Sequence, residues 1–577
     1  MHQLPTPGAV DPSVSERLHA IFAAEWERTL REMPIYASDL GDRRYNREWP
    51  DFRPEAFAER DRRNRQVLAD LATLDAAQLS AEDRLNLALF RHNYETLVEE
   101  YEFRWRFLPL NAREGIQDAH GISDCIVFES TRDYEDWIAR IETFPAYLDQ
   151  TLELMREGIR AGMVHAKVVM QRLPAQIQRQ IVADAAESPF YKPFLNFAEC
   201  VLEADRQRLG AEARQSIAAH VVPAYRRMLA FFEEEYLPAC FAEVGIWQMP
   251  RGLELYAYFC RKFTTTAYTP REIHDIGLAQ VKRIRAQMEQ LVQEIGFTGS
   301  WAEFLEHMRV GPEFFFSSAE KLVAAYQSFC DGVDKKLGAL FHRLPKVWYD
   351  IQIIPSNIAP DTTTAYYRPP SADGQRIGSY FVNTYRPEVR PSYEIPALSL
   401  HEAVPGHHLQ IAIAMELGNL PNFRRFAPEG GFTGYVEGWA LYAESLGEEL
   451  GCYENPYDKF GQLSYEMWRA VRLVVDTGLH AFRWTRQEAI DYFAENTSKV
   501  RHDIENEVDR YIAWPGQAVA YKIGEIEMAR LRRRATERLG AAFDLRDFHD
   551  AVLNSGPLPL DVLERNIEEW IVNAEGK

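Results

Sequence analysis

Between Leu400 and Gln410 the chain reads LHEAVPGHHLQ, which sets His401, Glu402, His407 and His408 close together; three of its 15 histidines fall in this stretch. Neutral imidazoles and carboxylates are the borderline donors that zinc takes when thiolates are absent. The six cysteines (Cys125, Cys200, Cys240, Cys260, Cys330 and Cys452) are dispersed with no CxxC pair, which argues against a thiolate site and against a disulfide framework. In the usual HExxH pattern the helix period puts two histidines at i and i+4 on one face, with the glutamate over the water. Here the second histidine arrives at i+6 or i+7. Pro405 has no N–H and would clash with the carbonyl of His401, four residues back. Gly406 loosens the chain further. Two extra residues are therefore expected to loop out, carrying His407 to the place of the second ligand. His408 is the competitor. It lies almost two turns from His401 and nearer its face, but about 10 Å up the axis at 1.5 Å per residue. His407 is the favoured ligand and His408 the alternative.

The third ligand is expected from a carboxylate on the next helix. In GYVEGWALYAESLG, Glu437 stands 36 residues beyond His401, enough for a helix, a loop (417–434) and a return. Glu444, at i+7 from Glu437, falls near the same face and could orient a ligand histidine from behind. In RLVVDTGLH, Arg472, Asp476 and His480 drift along one helix face. An Asp beside a His can fix its tautomer, and a His or Arg near the metal can stabilise an oxyanion; an interior ion-pair network is equally compatible. In YIAWPGQAVAYKIG, Tyr521 and Gln517 are expected to line the site, near Tyr511 and Lys522.

Helical periodicity dominates the elements that must hold these groups. Helices read at 13–32, 83–107, 210–237, 269–295, 318–341, 394–416, 433–450, 456–482, 486–498, 516–539 and 560–573. Thr269, Pro270 and Glu272 form a capping box, and Gly296 marks the end of that helix. The best strand signal is 376–384, RIGSYFVNT, after a polar, proline-rich loop (354–374) of the length that usually serves function. A helical N-terminal region (1–260) and a region holding the chemistry (261–577) are expected within one continuous body.

Composition excludes several classes. Lys plus Arg is 65 and Asp plus Glu is 86, a formal charge of −21, which disfavours a nucleic-acid binder. Arg530–Arg534 reads as a solvated helix face. No run approaches 18 apolar residues, so no membrane span is expected. The opening MHQLPTPGAVDPS has neither a basic nor an apolar leader region, so a cytoplasmic protein is expected. Oligomeric state is not legible.

HEAVPGHHLQ followed by EGWALYAE resembles the bacterial "domain of unknown function 885" family, placed among gluzincin zinc peptidases, over roughly 269–524. Glu437-Gly438-Trp439-Ala440 also resembles the EGFA string of a class of zinc aminopeptidases, whose Glu is a ligand. His401, Glu402 and Gly406-His407 resemble the HE…GH of thimet-type oligopeptidases with two residues inserted. The resemblance implies a mostly α fold: a large helical body with a small β-element above a deep channel, of the neurolysin/thimet type. It implies one zinc on His401, His407 and Glu437, and hydrolysis of short peptides with Glu402 as general base. His480, Arg472 or Tyr521 would supply oxyanion donors. In such peptidases an edge strand above the metal pairs with the substrate; Ser379, Tyr380, Phe381 and Asn383 are placed there, with Gln517 also touching substrate. Two rival functions stand beside this one. Two His and one carboxylate also make the facial triad of non-haem iron enzymes, although Glu402 would have no role there. The non-standard spacing also fits an inert zinc- or peptide-binding protein.

Overall fold

Thr269 opens a helix as its spacing predicts. Its hydroxyl accepts from the Glu272 N–H at 3.3 Å, and Glu272 Oε2 accepts from the Thr269 N–H at 2.8 Å, so two donors that lack helical partners are satisfied reciprocally. This helix, α1 (Pro270–Ile295), stops where Gly296 takes a left-handed φ of +80°. The computed structural model describes residues 13–356, 358–427 and 431–576. The opening residues 1–12, read above for a leader, lie outside the described residues. Ser13, Ser80, Ser300, Ser318 and Thr485 cap further helices with side-chain oxygens. The protein is mostly α-helical, with one three-stranded sheet among the described residues. None of the described helices is long and apolar enough to cross a membrane.

The sheet comprises β1 (Tyr349–Ile353), β2 (Ala365–Arg368) and β3 (Gly378–Val382), in the order β1-β3-β2. The strand expected at 376–384 is β3. It pairs parallel with β1 and antiparallel with β2, so it is central and not an edge. Both of its backbone rows are taken, and no substrate strand can add to it. Ser379, Tyr380, Phe381 and Asn383 are buried. Tyr380 meets Ser399 at 3.4 Å, Phe381 stacks on Tyr366 at 4.8 Å, and the Asn383 amide donates to the carbonyls of Ala359 and Thr363. These four residues hold the sheet together, and the substrate-binding expectation for them is corrected: edge position depends on which strands flank a segment, a non-local fact. The edge strands are β1 and β2.

Six helices then carry the site: α2 (Ile395–Glu402), α3 (His407–Glu416), α4 (Thr433–Ser445), α5 (Pro456–Ala481), α6 (Arg501–Ala513) and α7 (Ala520–Leu539). Every residue of α5 from Phe460 to His480 is buried. A helix buried all round is a core helix, and its polar side chains must find partners. One apolar cluster runs from Leu89 to Ile571, with members on both sides of residue 260; a smaller one joins Leu18, Phe22, Val67 and Phe90 near the N-terminus. Arg530 and Arg534 on α7 pair with Glu564 and Glu568 of the last helix (Leu560–Glu575), so this basic stretch laces two helices together.

Candidate functional site

The regular ladder of α2 ends at Ala403, whose N–H reaches Ser399 O at 2.9 Å. The Val404–Pro405 peptide is cis, and α3 begins at His407. The His408 N–H reaches back five residues to Ala403 O at 3.1 Å, so the extra residues bulge out as the Pro-Gly pair requires. Gly406 lies hard against the preceding turn: a Cβ there would stand 1.9 Å from His401 O and 2.4 Å from Leu400 O. Only glycine fits. From α4, Trp439 Nε1 donates to Pro405 O at 2.8 Å and holds the bulge in place.

The bulge turns His407 back beside His401, with ring centres 4.8 Å apart and planes at 88°. Glu437 Oε2 stands 3.5 Å from His401 Nε2 and 3.4 Å from His407 Nε2. Ligands held at about 2.0–2.1 Å around a tetrahedral ion sit about 3.4 Å from one another, so this spacing suits one shared ion. Glu437 Oε2 is buried with no hydrogen-bond partner among the described residues, which fits an atom reserved for a metal. The three residues form a group whose ligand atoms all lie within 4.8 Å of one another. His408 points the other way. Its Nδ1 meets the Tyr367 hydroxyl at 2.9 Å, its ring packs on Trp348 and Tyr349, and burial pushes its pKa down to about 4.

Behind the ligands, His401 Nδ1 meets Glu444 Oε1 at 2.8 Å, which leaves Nε2 turned toward Glu437. Glu444 is fully buried, and Arg469 stands 3.5 Å from the same oxygen. Burial alone would push His401 down, but the carboxylates of Glu437 and Glu444 beside it outweigh that and hold the pKa at about 9. Burial would likewise raise Glu437, yet His407 and His401 beside it keep its carboxyl well below the usual range. The site is electrostatically arranged for positive charge at its centre.

His401, His407 and Glu437 open into a cavity of about 410 Å³, and Glu402 lines it beside them. This volume lies in the range of small-ligand sites. Thr364, Ala365, Tyr366 and Tyr367, at the start of and along β2, make one wall; Tyr521 and Arg472 belong to another. The Tyr521 ring lies nearly parallel to His401, 6.5 Å away. It reaches there because α7 presses on α4: a Cβ at Gly524 would stand 1.9 Å from Gly434 O. Gln517 meets the Tyr521 hydroxyl at 3.3 Å from behind and does not itself line the cavity. A larger cavity of about 700 Å³, between Leu89, Tyr258 and Leu560, holds no comparable metal-ligating group among the described residues.

Two expectations fail. His480 is buried away from the cavity, with Nδ1 accepting from the Ile246 N–H (3.1 Å) and Nε2 donating to Tyr511 O (2.9 Å). Both ring nitrogens are committed to backbone, so it has no oxyanion role. Asp476 touches neither His480 nor a ligand. It accepts from the Tyr256 hydroxyl (2.6 Å) and the Gly516 N–H (3.1 Å), and so holds the turn that starts α7. Steps of four residues rotate about 40° each on a helix of 3.6 residues per turn, which carries positions 476 and 480 away from the face that Arg472 shows the cavity. Sequence reasoning missed Arg113, Arg469, Glu507 and Arg510, all of which line the cavity. The i, i+3 pairs Arg469/Arg472 and Glu507/Arg510 were the available signal.

No curated protein matches this chain. Among solved structures, a candidate lipoprotein from Colwellia psychrerythraea is similar over 97% of this chain and all of its own, at 28% identity and a TM-score of 0.92. A candidate lipoprotein of unknown function from Shewanella oneidensis shares the fold over 96% of this chain and 99% of its own, at 16% identity and a TM-score of 0.65. The bacterial proteins of unknown function grouped as DUF885 match residues 34–567, and the chain belongs to that family.

Proposed function

We propose that the protein hydrolyses peptide bonds in short peptides with one zinc held by His401, His407 and Glu437. The observation that carries this is Glu437 Oε2, unpartnered and 3.4–3.5 Å from two imidazole nitrogens, in a cavity that Glu402 also lines. Zinc there would acidify a water and polarise the scissile carbonyl. Glu402 then takes the proton of the attacking water and later gives it to the leaving amine. The Tyr521 hydroxyl is the donor for charge developing on the carbonyl oxygen, held in aim by Gln517 and by Arg472, whose guanidinium lies 4.5 Å over its ring. The free edge of β2 offers backbone groups to an extended peptide, the task first expected of β3. This is the gluzincin pattern with a Pro-Gly bulge, and the thimet-type likeness belongs to the same proposal. We place the protein in the cytoplasm, supported by six free cysteines; the lipoprotein descriptions of its structural relatives point to the cell envelope, and fractionation decides.

The test is Glu402→Gln. It should keep fold and one zinc per chain but lose about 10²–10⁴-fold in turnover of a peptide pool read by mass spectrometry. Near-normal turnover would defeat the mechanism, and iron in place of zinc on elemental analysis would favour the facial-triad alternative.

A further inference from the structure

The cavity wall facing the ligands is rich in arginine. Arg113, Arg469, Arg472 and Arg510 all line it. Three of them converge on one carboxylate: Glu507 stands 3.4 Å from Arg113, 3.1 Å from Arg472 and 3.4 Å from Arg510. The fourth, Arg469, faces Glu444, which already serves His401. The wall therefore carries more guanidinium than carboxylate. Arg472 is 3% exposed, and its Nη1 has no hydrogen-bond partner among the described residues; the same holds for Arg510 Nη2. Unmade bonds to buried charged donors are costly, so these groups look toward a missing acceptor. A carboxylate answers both charge and geometry, because a guanidinium holds it with paired N–H donors.

Resting on the hydrolase reading, we infer that Arg472 and Arg510 bind the C-terminal carboxylate of the substrate, so that the protein cuts peptides near their C-terminus. The geometry sets the distance. Arg472 lies 4.5 Å from the Tyr521 ring centre, itself 6.5 Å from the His401 ring centre, so the guanidinium is within about 11 Å of that ligand. An extended residue spans about 3.3–3.6 Å. At most three residues fit between the cut bond and the anchored carboxylate, and the released fragment has one to three residues.

Calorimetric titration of the Glu402→Gln protein tests this without relying on turnover. The probes are tetra-alanine as the free acid, tetra-alanine amide, and the amide carrying Glu at its third position. The free acid should bind at least about tenfold more tightly than the plain amide. Arg510→Gln should bring the two within about twofold. Arg472→Lys, which keeps the charge beside Glu507 but not the fork, should narrow the gap partly. Equal binding of acid and amide, or no binding of either, overturns the inference. Tight binding of the Glu-containing amide overturns it too, since the wall would then read an acidic side chain. Because binding is read in a variant without its general base, failure here leaves the hydrolase reading to its own test.

Discussion

Gly406→Ala puts the bulge itself to the test. The added Cβ would begin 1.9 Å from His401 O, and real Cβ atoms stay beyond 3.0 Å, so something must retreat by about 1 Å. Both sides of the clash are backbone, and one of them belongs to a ligand residue. His407 follows Gly406 directly, so the displacement passes to its imidazole. Metal ligands tolerate about ±0.2 Å, and a shift of several times that removes His407 from the ion. Losing a supporting partner of a ligand already costs about 10–100-fold in affinity, and losing the ligand should cost at least about 100-fold. The assay is zinc content after dialysis against a buffered zinc pool, by plasma mass spectrometry. About one ion per chain is expected for the parent and under about 0.2 for Gly406→Ala. Backbone strain of this kind costs about 1–3 kcal/mol. At about 2.1 cal/mol/K per residue over 577 residues, that lowers Tm by only about 1–2.5 °C, so the variant should fold. Gly418→Ala is the control, because a Cβ there meets nothing within 4 Å. Full zinc binding by Gly406→Ala would refute the bulge as the device that places His407.

Three further outcomes follow from the same geometry. His407→Ala should lose the zinc while His408→Ala keeps most of it; metal analysis showing the reverse would reinstate His408. Glu444→Gln should weaken zinc by about 10–100-fold, measured by chelator competition, because His401 Nδ1 loses its charged acceptor. Asp476 is pushed up to about 7 by burial. Between the unfolded carboxyl value near 4 and that value the folded state binds the extra proton, so stability falls as pH rises through this window. Asp476→Asn should flatten the decline of Tm between about pH 4 and 7, and an unchanged slope would show that Asp476 does not cause it.

The meeting of His401 with His407 rather than His408 was legible because its logic is local. Pro405 and Gly406 forbid a regular turn, and one residue of phase separates His407 from His408. The capping box at Thr269 was legible for the same reason. β3 was read as a strand, but its central place was not, because β1 lies outside the alternating segment and β2 lies within the stretch read as a loop. The roles of Asp476 and His480 failed on helix phase: their partners, Gly516 and Ile246, come from other segments. The arginine wall escaped notice because its i, i+3 pairs read equally as ordinary helix charge pairs until their carboxylate is located. Glu507 is the hub, and its three partners lie on α5, on α6 and near residue 113.

Arg113 has a consequence for the order of assembly. It comes from the first fifth of the chain and meets Glu507, which comes from the last. His401, His407 and Glu437 are synthesised between them. A nascent chain emerging from the ribosome would therefore possess the three ligands before Glu507, Arg510 and Tyr521 exist. On the proposed reading a metal would be captured early, whereas the arginine wall closes only when Arg113 and Glu507 meet. If the proposed function holds, interrupted synthesis would leave a fragment with the three metal-binding candidates but no arginine wall, and hydrolysis would wait until the protein is whole.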